Sequence, residues 1–233
     1  MCEVYGFCGS KPVDLHKYTD EFWTHAAWHK DGFGYFLADR DDYYVNPKSA
    51  LTQIDRLVKH NFTSKLALCH IRFKTHGPAL TENCHPFIKY DCRNIAWTLI
   101  HNGYIQDSIE TAALGTIQNG STDSERILLS IIETVNSYYE HSWIDNYEDF
   151  LLFMYAHIES KLNELSQLGK TNLIFTDSLT NNMYVYMNAP RTLYLLDSGD
   201  GFHISTTPLS KEVWIAVEPF KLHIFNNGKK LDY

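Results

Sequence analysis

Basic runs are missing from this chain. Twenty Lys and Arg face 28 Asp and Glu among 233 residues, a formal net charge of −8, and no cluster of cations could neutralise a row of phosphates. Nucleic acid is therefore excluded as a partner. Long hydrophobic runs are missing too: the longest, FLLFMYA at 150 to 156, falls far short of the ~20 apolar residues a spanning helix needs. The start of the sequence has neither the charged nor the apolar segment of a secretory leader, so a cytoplasmic protein without membrane association is expected. Proline and glycine are sparse, at 7 and 12, and neither a linker nor an internal repeat is visible. Five cysteines, at 2, 8, 69, 84 and 92, make an odd count without the regular spacing of a disulfide framework, and they are expected to stay as thiols. What is abundant is core material, 44% hydrophobic and 14% aromatic residues, which is the composition of a folded globular protein.

Along the chain, residues 2 to 8 predict a strand ending at Gly9 and Ser10, and residues 15 to 29 carry aromatics at helical spacing. A turn at Asp31 and Gly32 precedes a hairpin in GYFLADRDDYYV, then a short amphipathic helix in LTQIDRLVKHNF. KLALCHIRF and NIAWTLIHN predict two strands, each delivering polar residues at its exit, where loops on a rigid sheet commonly build sites. Thr122 and Glu125 have capping-box spacing ahead of a stripe of Ile127, Leu128, Ile131, Ile132 and Val135. A second helix is expected from about Tyr147 to Leu168, with Asn146 as N-cap and Gly169 as stop signal. Five short apolar runs from Asn172 onward predict a β-meander. Strands, a helix pair and more strands favour one layered α+β domain over residues 1 to 233.

Four stretches carry candidate chemistry: MCE at the start, HIRFKTHG with NCHPF (70 to 77 and 83 to 87), IHNG (100 to 103) and STDSE (121 to 125). Singly, each has an ordinary explanation. Buried structural cysteines outnumber catalytic ones. Arg72 reads as a surface charge, His101 as a satisfied core histidine, Asn102 with Gly103 as a tight turn, and Asp123 as an acid favoured by a helix dipole.

Together, and in this order, they resemble the glutaminase domain of class II glutamine amidotransferases, which belong to the N-terminal-nucleophile hydrolases. The likeness extends over most of the chain. DGFG (31 to 34) stands where the family has DGWG, HIRFKTHG where it has HTRWATHG, and HPF, HNG and TDSE follow. The wording is most similar to the family's small stand-alone branch. This resemblance implies a four-layer αββα sandwich with two stacked antiparallel sheets. It also implies a thiol nucleophile, Cys2, whose α-amine acts as base once Met1 is removed. An α-amine titrates near ~8 and a cysteine thiol near ~8.5, so no separate histidine is required. Asn102 and Gly103 are implied as oxyanion donors, Arg72 and Asp123 as the clamp on the α-carboxylate and α-ammonium of glutamine, and Thr75 and His76 as further substrate contacts. His85 and His101 are expected to support the site, and His70 to be structural. Phe73 and Phe33 depart from the family's tryptophans, and Lys74 from a small residue.

No cofactor is expected, and no metal. Cys69, His70, His76, Cys84 and His85 crowd together, yet adjacent Cys69 and His70 on a strand point to opposite faces, and no pair has zinc-knuckle spacing. The expected substrate is glutamine or another γ-glutamyl small molecule, hydrolysed through a Cys2 thioester. A γ-glutamyl peptide or γ-glutamyl thiol compound is the alternative within that chemistry, and a non-catalytic binding subunit of the same fold is the alternative outside it. A separate synthase or peptidase subunit is the partner such a domain would serve.

Overall fold

The computed structural model describes residues 2–74, 77–106, 118–141 and 146–233. In chain order the elements are β1 (Glu3–Asp14), α1 (His16–Thr24), β2 (Phe33–Leu37), β3 (Asp42–Asn46), α2 (Ile54–Lys59), β4 (Thr63–Ile71), β5 (Phe87–Tyr90), β6 (Ala96–His101) and β7 (Tyr104–Ile105). After these come α3 (Asp123–His141), α4 (Tyr147–Leu165), β8 (Gly169–Lys170), β9 (Asn172–Asp177), β10 (Met183–Met187), β11 (Tyr194–Asp197), β12 (Gly201–Ser205), β13 (Ile215–Ala216), β14 (His223–Asn226) and β15 (Lys229–Leu231). Two antiparallel sheets dominate, one in the order β13-β11-β12-β1-β4-β2-β3 and the other β15-β14-β10-β9-β6-β5.

Side-chain alternation along the strands stacks these sheets. Val4 and Cys8 of β1, with Leu66 and Leu68 of β4, meet Ile100, Ile174, Met183 and Val185 of the other sheet in a core between the two. The intervening residues, Tyr5, Phe7, Ala67 and Cys69, point the opposite way and pack under Phe22, Trp23 and Leu57 of α1 and α2. On the far side, Leu99, Leu173, Phe175, Tyr184 and Tyr186 pack against the predicted stripe of α3 and against Met154, Ile158 and Leu162 of α4. The result is the expected αββα layering.

Three expectations need correction. β1 does not end at Gly9 and Ser10: it runs on to Asp14, absorbing the glycine in a register shift between Cys8 and Val13 where it pairs with β4. The helix expected to reach Leu168 is α-helical only to Leu165 and finishes as a 3₁₀ turn over Ser166–Leu168; Gly169 stops it as expected and also opens β8. The C-terminal strands form no single meander. β9, β10, β14 and β15 complete one sheet while β11, β12 and β13 complete the other, because the chain crosses between sheets after Met187 and again after Ala216. Alternation identifies a strand, but both sheets of a sandwich offer it the same half-buried surface.

Candidate active site

Cys2 immediately precedes β1 and shares the inner face of Val4 and Cys8. β1 and β4 pair with Glu3 opposite Ile71 and Val4 opposite His70, so one further step brings Arg72 across from Cys2. Arg72 is held there by its own backbone, whose N–H donates to Gly32 O (2.8 Å) while its carbonyl accepts from Asp31 N (3.1 Å). The next residue flanks the sulfur: Phe73 N–H donates to Cys2 Sγ and the thiol donates to Phe73 O, both at 3.4 Å. Burial pushes the Cys2 thiol up; the Phe73 contact and the Arg72 charge oppose this, and the Asp123 charge adds to it.

Cys2, Arg72, Phe73, His85, His101, Gly103 and the N-terminus of α3 (Thr122 to Ser124) line one cavity of about 20 Å³. That is room for about one water molecule. The first turn of α3 presents its positive end to this space, which favours an anion. Thr122 caps the helix by accepting from Glu125 N (3.4 Å), half of the expected capping box. The other half is redirected: the Glu125 carboxylate accepts from Asn119 N and Gly120 N (2.7 Å each) and pairs with buried Lys89 at 2.7 Å.

Asp123 is buried, and its Oδ2 accepts from Ile105 N (2.8 Å), which fixes the carboxylate beside the turn that follows β6. In that turn Gly103 has no room for a side chain. A Cβ there would fall within 3.0 Å of Lys170 O, of the Lys170 carbonyl carbon and of His101 Nε2. Asn102 is 4% exposed; its N–H donates to Asn172 O (2.9 Å), and its Oδ1 has no partner among the described residues.

The histidines divide by their hydrogen bonds. His101 is committed at both nitrogens: Nε2–H donates to Lys170 O (3.2 Å), so Nδ1 accepts from the Ser124 hydroxyl (2.9 Å). Burial lowers its pKa, against the pull of Asp123. It is a brace between β6, α3 and β8. His70 donates from Nε2 to His101 O (3.1 Å), and burial pushes its pKa down to about 3. His85 packs against His70 with ring centroids 4.0 Å apart and planes inclined by 31°, and it lines the cavity. Thr75 and His76, read as substrate contacts, lie outside the described residues, as does Met1.

The guanidinium of Arg72 is heavily engaged. It donates to Pro78 O (3.0 Å), Gly77 O (3.4 Å) and Asp31 O (3.5 Å). Around it stand residues that motif reading left unassigned. Asp31 accepts from Lys74 N (2.8 Å), so the loop after β4 is pinned to the DGFG turn. Asn83 donates to Pro78 O (3.1 Å) and accepts from Ser121 N (2.8 Å), joining the loop under Arg72 to the loop before α3. Gly34 lets the chain at His85 approach: a Cβ there would meet the carbonyls of His85 and Tyr44. Of the two tryptophan replacements, Phe33 is buried against Trp23 and Tyr44, whereas Phe73 remains 42% exposed beside the thiol. Among the described residues no three His, Cys, Asp or Glu are placed to hold a metal ion.

Two stacked antiparallel sheets between helical layers, with a cysteine entering a central strand, are an arrangement this chain shares with solved amidotransferase structures. The chain belongs to the class-II glutamine amidotransferases, whose family pattern matches residues 1–198. It is 27% identical over 260 residues to a Haemophilus influenzae protein named "Putative glutamine amidotransferase", covering 99% of this chain and 86% of that one. Its fold is similar to a Pseudomonas aeruginosa structure described as a predicted glutamine amidotransferase, with a TM-score of 0.72, 19% identity and full coverage of both chains. It also resembles the glutamine phosphoribosylpyrophosphate amidotransferase of B. subtilis, with a TM-score of 0.67 and 19% identity over 99% of this chain and 48% of that one. Among the described residues no helix is long and apolar enough to cross a membrane.

Proposed function

We propose that the chain, acting as one glutaminase unit over residues 1 to 233, hydrolyses the side-chain amide of glutamine through a Cys2 thioester. Removal of Met1 exposes the α-amine of Cys2, which takes the thiol proton. The thiolate attacks the amide carbon, the C–N bond breaks and ammonia leaves with a proton. Water then attacks the thioester carbonyl, the C–S bond breaks, and glutamate departs as the thiol is restored. Asn102 Nδ2 and the Gly103 N–H serve the oxyanion of each tetrahedral intermediate, where losing one donor costs roughly 3 kcal/mol of barrier in other enzymes. Arg72 takes the α-carboxylate and Asp123 the α-ammonium, with Thr75 and His76 as further contacts. The observation that carries this reading is the cavity that joins Cys2, Arg72, Gly103 and Asp123.

A γ-glutamyl peptide or γ-glutamyl thiol compound as substrate is the second reading. It is favoured by Phe73, an exposed ring beside the thiol that offers apolar surface to a leaving group larger than ammonia. Intact mass of the purified protein and a panel of glutamine and γ-glutamyl amides, run on wild type and Cys2→Ala, test both readings. Loss of Met1 and at least a thousandfold fall in turnover for Cys2→Ala are expected. Retained Met1 with full activity, or equal activity in the two proteins, refutes the mechanism.

A further inference from the structure

His85 is the least satisfied polar side chain in the cavity wall. It is 3% exposed, and neither of its ring nitrogens has a hydrogen-bond partner among the described residues. A buried polar group without a partner costs roughly 1 to 3 kcal/mol. Such groups in a native protein call for an explanation. His101 and His70, close by, spend their N–H groups on backbone carbonyls. His85 spends neither of its nitrogens, although it stands in the same wall as Cys2 and Arg72.

The state of Arg72 supplies the complementary half. A carboxylate bound by arginine alone is met best by two parallel N–H groups of the planar fork. Here Nη1 donates to the carbonyls of Pro78 and Asp31 and Nη2 to that of Gly77, so the fork is shared with the protein before any substrate arrives. An α-carboxylate placed against Arg72 has about four lone-pair sites to satisfy. It therefore has sites left for donors besides this arginine.

We propose that His85 is a substrate contact that donates a ring N–H to the α-carboxylate of the bound γ-glutamyl group, beside Arg72. This rests on the reading above that Arg72 receives that carboxylate. Burial, together with the neighbouring His70, His101 and Arg72, holds His85 well below the usual histidine range. The ring is thus a neutral donor and stores no proton. Tilted ring contact with His70 at 4.0 Å and edge contact with Phe87 at 4.6 Å fix its plane. The ring plane is therefore set before the ligand enters, and little entropy is lost in ordering it.

Binding to Cys2→Ala protein tests this without requiring turnover. The probes, measured by calorimetry, are L-glutamate, glutarate, which lacks the α-ammonium, and 4-aminobutanoate, which lacks the α-carboxylate. Adding His85→Phe, which keeps the aromatic contact, is expected to weaken L-glutamate and glutarate at least tenfold and 4-aminobutanoate less than twofold. His85→Gln, which keeps a donor, is expected to stay within threefold for all three. His85→Leu serves as the second apolar variant should His85→Phe not fold. An equal loss on all three probes, or L-glutamate affinity within twofold of the parent, overturns the proposal. Arg72→Gln checks the underlying reading separately: if L-glutamate does not bind the parent, or binds it no better than this variant, the placement of the carboxylate itself is wrong and the role of His85 falls with it.

Discussion

Replacing Gly103 by alanine adds one methyl group at the tightest point of the site. The new Cβ would lie within 3.0 Å of both atoms of the Lys170 carbonyl and of His101 Nε2, distances that real Cβ atoms do not tolerate. Relief requires the turn after β6 to move away from β8. That motion breaks the His101–Lys170 hydrogen bond at 3.2 Å and the two-residue pairing of β7 with β8. Overpacking costs about 1 to 3 kcal/mol, and a buried group stripped of its partner a further ~1 to 3 kcal/mol. The sum is about 2 to 6 kcal/mol. At ~2 to 4 °C per kcal/mol for a chain of this size, the melting temperature should fall by roughly 10 °C. Thermal denaturation followed by circular dichroism reads this directly, with or without substrate. A melting temperature within about 2 °C of wild type would show that crowding does not dictate glycine here.

Two further outcomes follow from the charge pairs. Lys89→Met should destabilise the protein by about 3 kcal/mol in urea, because it leaves the buried Glu125 carboxylate, among the described residues, only its two backbone donors and no countercharge; adding Glu125→Gln should recover part of that loss. The Glu3–His25 pair should make stability depend on pH. Burial would raise the Glu3 pKa, but the His25 ring 3.8 Å away and the Thr206 hydroxyl lower it overall; the carboxylates of Glu3 and Glu21 raise that of His25 against its burial. The Glu3 contribution is complete above its unfolded value, near ~4.5, and is lost as pH falls through the lowered folded value. The His25 contribution is complete below its unfolded value, near ~6.5, and is lost as pH rises through the raised folded value. Their joint effect is therefore greatest between those limits, and His25→Gln should cost more stability at pH 5.5 than at pH 8.5 in paired urea titrations. Equal cost at both would refute the coupling.

How much of this was legible beforehand follows from where each signal lies. Cys2, Arg72, Asn102 and Asp123 sit in short motifs at strand exits and a helix start, so sequence order and local pattern reach them. The stripe of α3 was equally visible, because helical periodicity is a local property. Glu125 was read as half of a capping box, and that reading is only half the story: its partner Lys89 lies in another element, and nothing in either neighbourhood announces the pair. Asn83 likewise works between two loops that only the folded chain brings together. The division of the last strands between two sheets was hidden for the same reason, since each run has the right alternation for either.

β1 lies in the middle of its sheet, flanked by β4 and by β12, and β12 spans Gly201–Ser205. Its second neighbour is therefore made only after some two hundred residues have been synthesised, which takes about 10 to 40 s at ~5 to 20 residues per second. Throughout that interval the strand entered by Cys2 is open along one side. Closure of the sheet beside Cys2 is thus set by the order in which the ribosome delivers the strands.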